Sequence, residues 1–452
     1  MTVTVSACLI IDTSASMSPW VANTLIDSKA FVSYALPGDA IGVVNYDVNA
    51  NNCYAPNGQM AVVDATLSQI AAATQAISTL TFNGNCTNIG GGIQAGYNLL
   101  TASSVAPKAT VLLTDGQQNC GTSPINVPPS FPVYACGMGS YVDAAQLQQV
   151  ATRTNGLYYG VAYPVNMMQI YNQIRSSQPR IQSVLNYLTA MTPTQQSLLL
   201  PAAISTPDLQ QVGVVWSDPS FVYSSNPSPT GNQLYIVLYQ PDGQISPITP
   251  NRSGPGYVIF DVGNPMNGTW NVYVQYAGTS NSLSVTTGVF EFTPAGVSEA
   301  LLTLETPEFV KAGSPLTLNA HLVHDDGEPI TVTSMAARVM APMISVKNAL
   351  IKYADDLKAL SPVLDEPAHE QDTPERRLAL LHRLYLPTHD ILPYRRFEAP
   401  LATTGDATRQ LQLTDTQQSG SYNLVVHATG YSQKSGLAVQ RTQLVSVPVI
   451  DG

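Results

Sequence analysis

The first 178 residues alternate short apolar runs with segments whose apolar positions recur every three or four residues. The runs predict buried strands, and the segments between them predict helices. This alternation is typical of βαβ units and predicts a Rossmann-like, doubly wound α/β domain over residues 1–178. The predicted strands are Val3–Ile11, Ala40–Tyr46, Ala109–Thr114, Val133–Cys136 and Gly156–Tyr159, and the predicted helices lie near Trp20–Ala35, Ala65–Ala76, Gly92–Leu100, Ala144–Thr152 and Val165–Ser176.

The pattern changes beyond residue 178. Helical patterning largely stops after Leu200, and alternating strands separated by turns such as Pro241–Asp242–Gly243 follow. This pattern predicts an antiparallel β-sandwich over residues 179–297. Its predicted strands are Gln211–Trp216, Gln233–Tyr239, Gly256–Asp261, Trp270–Tyr276 and Leu283–Phe292.

Residues 298–452 predict a second β-sandwich, immunoglobulin- or fibronectin-like in size, with a helical insertion at about residues 345–385. Thr373 before Pro374 and Glu375 marks a helix start inside the insertion. The insertion is therefore predicted to be a helical hairpin. Its two apolar faces consist of Val346, Leu350, Tyr353, Leu357 and Leu360, and of Leu378, Leu381 and Leu384; the predicted strands around it are Leu301–Leu304, Leu316–Val323, Ser421–Ala428 and Gln443–Val449.

The amino-acid composition limits the kinds of molecule that this protein is expected to bind. Charged residues make up 11% of the chain and the net charge is −11, without a basic cluster, so nucleic acid is an unexpected partner. No apolar stretch reaches the ~20 residues of a membrane-spanning helix. The neutral polar surface favours an extracellular or cell-surface location. However, the N-terminus predicts a strand and not a signal peptide, so either the protein stays inside the cell or a leader lies upstream.

Oxygen-bearing side chains follow three elements that end at one edge of the predicted sheet. Asp12, Ser14 and Ser16 form a DxSxS motif after the first strand, Thr87 precedes a helix, and Asp115 follows the strand Ala109–Thr114. Ligands of open α/β sheets bind beyond the carboxyl ends of the strands, so these five side chains are predicted to converge. Such donors suit a hard, octahedral cation, and no histidine precedes position 321. The remaining coordination position is left for water or for a partner's Asp or Glu.

The segments DTSAS, CTNIGGGI and LLTDG resemble the von Willebrand factor type A family in order and spacing. The resemblance implies a metal-ion-dependent adhesion site formed by Asp12, Ser14, Ser16, Thr87 and Asp115. In that family the ion is usually Mg²⁺, sometimes Mn²⁺ or Ca²⁺. The three hydroxyls ligate it directly, and the carboxylates often act through water.

The whole chain also resembles the core of the calcium-activated chloride channel regulator family. This likeness rests on the A domain, on GTWNVYVQY in the first sandwich and on SGSYNLVVHATG in the second. Those relatives carry a zinc protease domain with HExxH, and this sequence contains no HExxH, so protease activity is not expected here. The helical insertion departs from the family pattern.

Cys86 and Cys120 flank the predicted site, and a disulfide between them is one interpretation. Cys53 is an alternative partner for either, and unpaired thiols in a reducing cytosol are another alternative. Cys8 lies within an apolar strand and is predicted to be a buried free thiol.

Other residues near the predicted metal site are expected to shape the surrounding turns and surface. Asp47 is expected to cap a turn, and the glycines at 90–92 are interpreted as a flexible turn and not as a phosphate loop. A polar rim around the ligand is predicted from Tyr46, Asn49, Asn51, Asn52 and Tyr54.

Together these features predict a cation-dependent, adhesion-type binding protein whose partner is a protein that presents Asp or Glu. An intracellular scaffold or assembly subunit for a partner ATPase is the first alternative. A hydrolase is the second, and no nucleophile and base pair supports it, so no catalytic residue is predicted. The sequence does not indicate an oligomeric state.

Overall fold

The computed structural model describes residues 4–139, 142–205, 208–278, 282–358, 377–378, 381 and 391–450. The first described elements form a seven-stranded sheet of order β3-β2-β1-β5-β6-β7, with β4 beside β2. Strands β2, β1, β5, β6 and β7 are parallel, and β3 and β4 pair antiparallel with β2. This order confirms the predicted doubly wound α/β fold. The strands are β1 (Ser6–Asp12), β2 (Ala40–Tyr46), β3 (Ala50–Tyr54), β4 (Ala61–Val62), β5 (Lys108–Thr114), β6 (Val133–Met138) and β7 (Tyr158–Val161).

Helices cover both faces of this sheet. Along β1, Leu9 and Ile11 face one hydrophobic core while Cys8 and Ile10 face the other, because successive strand side chains point to opposite faces. Helices α1, α2 and α5 pack on the first core, and α3 and α4 on the second. The helices are α1 (Val21–Ser33), α2 (Ser68–Ser78), α3 (Ile89–Ala102), α4 (Ala144–Arg153) and α5 (Met167–Ser176).

The first β-sandwich consists of a five-stranded sheet of order β13-β14-β10-β16-β8 and a four-stranded sheet of order β11-β12-β15-β9. One core that includes Trp216 and Trp270 lies between them. The sequence did not indicate the first two strands, since residues up to Leu200 were not assigned as strands. The strands are β8 (Ile181–Met191), β9 (Ser197–Ile204), β10 (Leu209–Trp216), β11 (Val222–Ser224), β12 (Gln233–Tyr239), β13 (Arg252–Gly254), β14 (Tyr257–Gly263), β15 (Gly268–Tyr276) and β16 (Leu283–Phe292).

The second β-sandwich consists of a four-stranded sheet of order β17-β19-β23-β22 and a five-stranded sheet of order β18-β25-β24-β20-β21. Its longest antiparallel partners are β20, β24 and β25, and the sequence pattern did not indicate β20. The strands are β17 (Ala300–Glu305), β18 (Val310–Lys311), β19 (Leu316–His324), β20 (Ile330–Pro342), β21 (Tyr394–Pro400), β22 (Ala402–Thr403), β23 (Thr408–Leu413), β24 (Gly420–Ser432) and β25 (Ala438–Ile450).

The insertion begins as predicted but is interrupted early. Ser345 caps α6 (Val346–Lys352) by accepting a hydrogen bond from the backbone of Asn348 at 3.2 Å. The helix stops at Tyr353, and a single turn, α7 (Ala354–Leu357), follows in place of one continuous helix. Val346, Leu350, Tyr353 and Leu357 pack, as their shared face predicts, beside a small core that contains Leu378 and Leu381. Leu360, the start at Thr373 and Leu384 lie outside the described residues.

The three units pack directly against one another. Helix α5 is buried along almost its whole length between the central sheet, β8 and β25. Gln173 of this helix accepts a hydrogen bond from the backbone of Leu444 at 2.6 Å, and Asn172 donates one to Asn186 at 3.1 Å. Within the described residues, no helix is both long and apolar enough to span a membrane.

Candidate functional site

The candidate site lies where the order of the central sheet reverses. Strands β1 and β5 are neighbours there, but the connections that follow them run to opposite sides of the sheet. Asp12 is the last residue of β1, and Asp115 follows β5 directly. A crevice at the carboxyl ends of the strands is expected at this point of a doubly wound sheet, so the topology itself brings the two carboxylates together.

Asp12 is fully enclosed and held from several sides. Its Oδ1 accepts a hydrogen bond from the backbone of Ser14 at 2.9 Å, and its Oδ2 accepts one from Thr114 Oγ1 at 2.7 Å. The Tyr46 hydroxyl approaches Oδ2 at 3.4 Å. Burial raises the pKa of Asp12 to about 6, although these hydrogen bonds act in the opposite direction.

A chain of short contacts joins the two serines to the second carboxylate. Ser14 Oγ and Ser16 Oγ are 3.0 Å apart, and Ser16 Oγ donates to Asp115 Oδ1 at 2.8 Å. Ser14, Asp115 and Thr87 are buried, whereas Ser16 is partly exposed. The cluster therefore opens to solvent on the side of Ser16.

Thr87 reaches the same cluster from the third loop. A Cβ placed on Gly116 would lie 3.3 Å from Thr87 Oγ1 and 3.9 Å from Ser16 Oγ, so both hydroxyls border the position just after Asp115. The structure thus brings Asp12, Ser14, Ser16, Thr87 and Asp115 to one place, from three separate loops.

The Thr87 loop is fastened to the segment after β5. Asn119 Oδ1 accepts a hydrogen bond from the Thr87 backbone at 2.7 Å, and the Asn119 backbone donates to the Thr87 carbonyl at 3.2 Å. Gln118 accepts a further hydrogen bond from the backbone of Gly90 at 3.2 Å. The sequence did not single out Gln118, Asn119 or Thr114, because contacts between loops distant in sequence leave no local pattern.

A disulfide between Cys86 and Cys120 reinforces the same connection, as the first interpretation predicted. Cys53, the alternative partner, is half-buried and unpaired among the described residues. Cys8 is a buried free thiol as predicted, and burial raises its pKa to about 12.

The glycines at 90–92 do not form the flexible turn that was expected. They belong to the first turn of α3, whose N-cap is Asn88. A Cβ on Gly90 would meet the Thr122 carbonyl oxygen at 2.0 Å, and one on Gly92 would meet the Tyr46 ring at 2.7 Å. These glycines therefore allow the helix to pack closely beside the site.

The predicted polar rim is wrong for Tyr46. Tyr46 has no exposed surface and lies beneath the cluster, where it also donates a hydrogen bond to the Leu113 carbonyl at 3.2 Å. Asn49, Asn51 and Asn52 are exposed. Asp47 caps a turn as expected, because its Oδ1 accepts a hydrogen bond from the backbone of Asn49 at 3.1 Å.

The donor set fits a hard divalent cation. Two carboxylates and three hydroxyls meet in a space enclosed on most sides, and such all-oxygen sets favour Mg²⁺, Mn²⁺ or Ca²⁺ over zinc. The hydrogen bonds on the Asp12 carboxylate and on the Thr87 backbone hold these two residues in place. The opening beside Ser16 would let an outside ligand approach.

A family model, the von Willebrand factor type A domain, matches residues 8–173. No curated protein matches the chain. The resemblance to the calcium-activated chloride channel regulator family is therefore not confirmed.

Several solved structures are similar to the chain. The von Willebrand factor type A protein from Catenulispora acidiphila is 15% identical over 72% of this chain and 64% of its own, with a TM-score of 0.36. The ArnB paralog VWA2 from Sulfolobus acidocaldarius is 13% identical over 72% and 62%, with a TM-score of 0.30. The vWF domain of the type V pili tip protein Mfa5 from Porphyromonas gingivalis is 15% identical over 38% and 94%, with a TM-score of 0.29.

The chain spans slightly less than two thirds of the first two of these proteins. The family model covers the central sheet and its helices, and the candidate site lies inside it. Residues 8–173 of this chain are a von Willebrand factor type A domain.

Proposed function

We propose that this domain binds a divalent cation, preferentially Mg²⁺, through Asp12, Ser14, Ser16, Thr87 and Asp115. The observation that carries the proposal is the meeting of these side chains from three loops, with contacts of 3.0 Å between the two serines and 2.8 Å from Ser16 to Asp115. Mn²⁺ and Ca²⁺ share the same preference for oxygen and are further candidates.

The second part of the proposal concerns what completes the ion's shell. Five protein donors leave a position on an octahedral ion, and the partial exposure of Ser16 supports an opening of the site at the surface. A carboxylate from a partner protein is the ligand whose charge suits this position best. The proposed function is therefore cation-dependent protein binding, without a catalytic step.

Metal binding is tested by calorimetric titration of EDTA-treated protein with MgCl₂ and MnCl₂. We expect Asp115→Ala and Ser16→Ala to weaken binding at least about tenfold, since a lost ligand should cost no less than a lost supporting contact. Asp242→Asn, which alters an exposed carboxylate in a turn of the first sandwich, is the matched control and should bind as the unchanged protein does. Equal affinity in the unchanged protein and in both site variants would overturn the proposal.

The carboxylate preference is tested with immobilised peptides that contain Glu or Asp, each paired with its Gln or Asn counterpart. Binding should require Mg²⁺, disappear in EDTA and in Asp115→Ala, and favour the acidic member of each pair. A partner that binds equally in EDTA would show that the ion does not bridge the two proteins, even if the metal site itself exists.

A further inference from the structure

A second cluster of metal-ligating side chains lies in the last sandwich, at the turn between β19 and β20. It comprises His324, Asp326 and Glu328, and one ligand atom from each lies within 4.8 Å of the others. His324 ends β19, and the other two residues belong to the turn before β20. Unlike the site in the first domain, this cluster combines an imidazole with two carboxylates.

Neighbouring groups hold the two carboxylates in place. Asp326 Oδ1 accepts a hydrogen bond from the Glu328 backbone at 3.0 Å. Glu328 Oε1 accepts hydrogen bonds from the Ser432 hydroxyl and, at 3.1 Å, from the Lys434 backbone. These contacts position the two carboxylates within the turn.

The imidazole provides an independent indication of a ligand. His324 Nε2 is enclosed by protein and has no hydrogen-bond partner among the described residues, while Nδ1 lies 3.4 Å from Ser298 Oγ. A buried polar atom that is left unpaired destabilises the folded state, so such atoms usually have a partner. A metal ion held between the ring and the two carboxylates would supply that partner.

We propose that His324, Asp326 and Glu328 bind a zinc ion or a chemically similar late transition-metal ion. Imidazole nitrogen with carboxylate oxygen favours such ions over Mg²⁺ or Ca²⁺. Zinc accepts these ligands at about 2.0 to 2.2 Å, so small side-chain rotations would draw the three atoms inward. The exposed side of Asp326 leaves the fourth position to water.

The position of the cluster indicates a bracing role. Through Glu328 the turn is joined to the segment at Ser432 and Lys434, and Ser298 links it to the connection between the two sandwiches. The adjacent Glu299 pairs with Arg180, just before the first strand of the first sandwich, at 2.9 Å. An ion at this point would stiffen the joint between the two β units.

The test is a calorimetric ZnCl₂ titration of the EDTA-treated full chain, followed by thermal unfolding with and without zinc. We expect His324→Gln and Asp326→Asn each to weaken zinc binding at least about tenfold and to abolish the zinc-dependent rise in Tm. Glu328 is left intact because its loss would also break the contacts to Ser432 and Lys434. Circular dichroism confirms that each variant is folded.

Two matched controls separate this site from others. His321→Gln removes an imidazole from the same strand, where it contacts Thr408 at 3.1 Å, and should leave zinc binding unchanged. Asp115→Ala removes the proposed magnesium site and should also leave it unchanged. Zinc affinity that is unaltered by His324→Gln and Asp326→Asn, or lost in His321→Gln, would overturn the proposal, whatever the result at the first site.

Discussion

At the scale of single residues, hydrogen bonds from several sides hold the fully buried carboxylate of Asp12, the first residue of the proposed cation site. Thr114, the Ser14 backbone and Tyr46 fix both of its oxygens. The meeting of the five side chains was predictable, because the residue types and the spacing of the motif can be read directly from the sequence. Thr114 and Asn119 were not predictable, since what they contact depends on which loops the fold brings together.

Thr114→Val removes the hydrogen bond to Asp12 at nearly constant volume. We expect the affinity for Mg²⁺ and Mn²⁺ to fall about tenfold, as is usual when a group that orients a metal ligand is lost. Thr110→Val is the control, since Thr110 lies on the same strand but bonds the Pro132 carbonyl at the other end. The role assigned to Thr114 fails if the two variants bind metal equally well in the titration described above.

Asp27 in α1 is a buried carboxyl whose Oδ2 has no hydrogen-bond partner in the described part of the chain. Burial raises its pKa well above the ordinary value. The carboxyl proton of Asp27 is therefore bound more tightly in the folded state than in the unfolded state. The resulting stability is complete below about pH 4, the ordinary pKa of Asp, and is lost as the pH rises through the raised pKa.

Asp27→Asn removes the charge and is expected to raise the free energy of unfolding at pH 7 by about 1 kcal/mol or more. The gain should shrink as the pH falls towards 4, which urea unfolding at several pH values would measure. Asp64→Asn is the control, because Asp64 is exposed and the Gln69 hydrogen bond lowers its pKa. A gain of equal size at every pH would contradict the explanation.

At the scale of elements, strands and helices whose apolar positions recur regularly were predicted within a few residues. The strands that the sequence did not indicate were missed for physical reasons. Strand β8 is buried on both faces at its start and partly exposed later, so it lacks a steady alternation. The run Leu198–Leu200 in β9 is uniformly apolar although Leu199 is exposed. Where other units cover the two faces of a strand unevenly, apolar and polar side chains do not alternate regularly. The sequence pattern alone then does not reveal the strand.

The connection between the Thr87 loop and the segment after β5 combines a disulfide with the hydrogen bonds of Asn119. We expect Cys86→Ser with Cys120→Ser to lower the free energy of unfolding by about 2 to 4 kcal/mol, because the unfolded chain is no longer cross-linked. Metal affinity should fall as well, since Thr87 is less firmly placed.

Reduction of the unchanged protein by dithiothreitol should reproduce both effects of the double variant, in urea unfolding and in the Mn²⁺ titration. Cys53→Ser is the control, and it should show neither effect before reduction and both after it. If reduction changes stability but leaves metal affinity intact, the disulfide stabilises the fold without positioning Thr87.

At the scale of the whole molecule, the three units are joined by buried polar contacts. Arg441 of β25 lies 2.9 Å from Glu291 of β16 and donates a hydrogen bond to the Ala300 carbonyl at 2.6 Å. Both side chains are almost completely buried. The sequence predicted three units but not their contacts, because a buried arginine of this kind has no distinguishing local pattern.

Arg441→Met removes the positive charge that pairs with the buried Glu291 and should destabilise the protein by about 3 to 5 kcal/mol. Adding Glu291→Gln should recover part of this loss, which a double-mutant cycle by urea unfolding would measure. Lys358→Met, in an exposed ion pair with Asp355, is the control and should change stability little. Strictly additive effects at 441 and 291 would show that the pair is not coupled.

The packing of β7 has a consequence for how the chain avoids self-association. This strand ends the parallel sheet, and an open strand edge can template pairing with another molecule. Here Asn423 donates to the Gly160 carbonyl at 2.6 Å, and the Gly160 amide donates to Ser446 at 3.1 Å. A side chain at position 160 would collide with Ser421, so the glycine admits the neighbouring sandwich against the strand. The last unit therefore contacts β7 at Gly160, and residues 8–173 expressed alone would leave this strand open to pairing with another molecule.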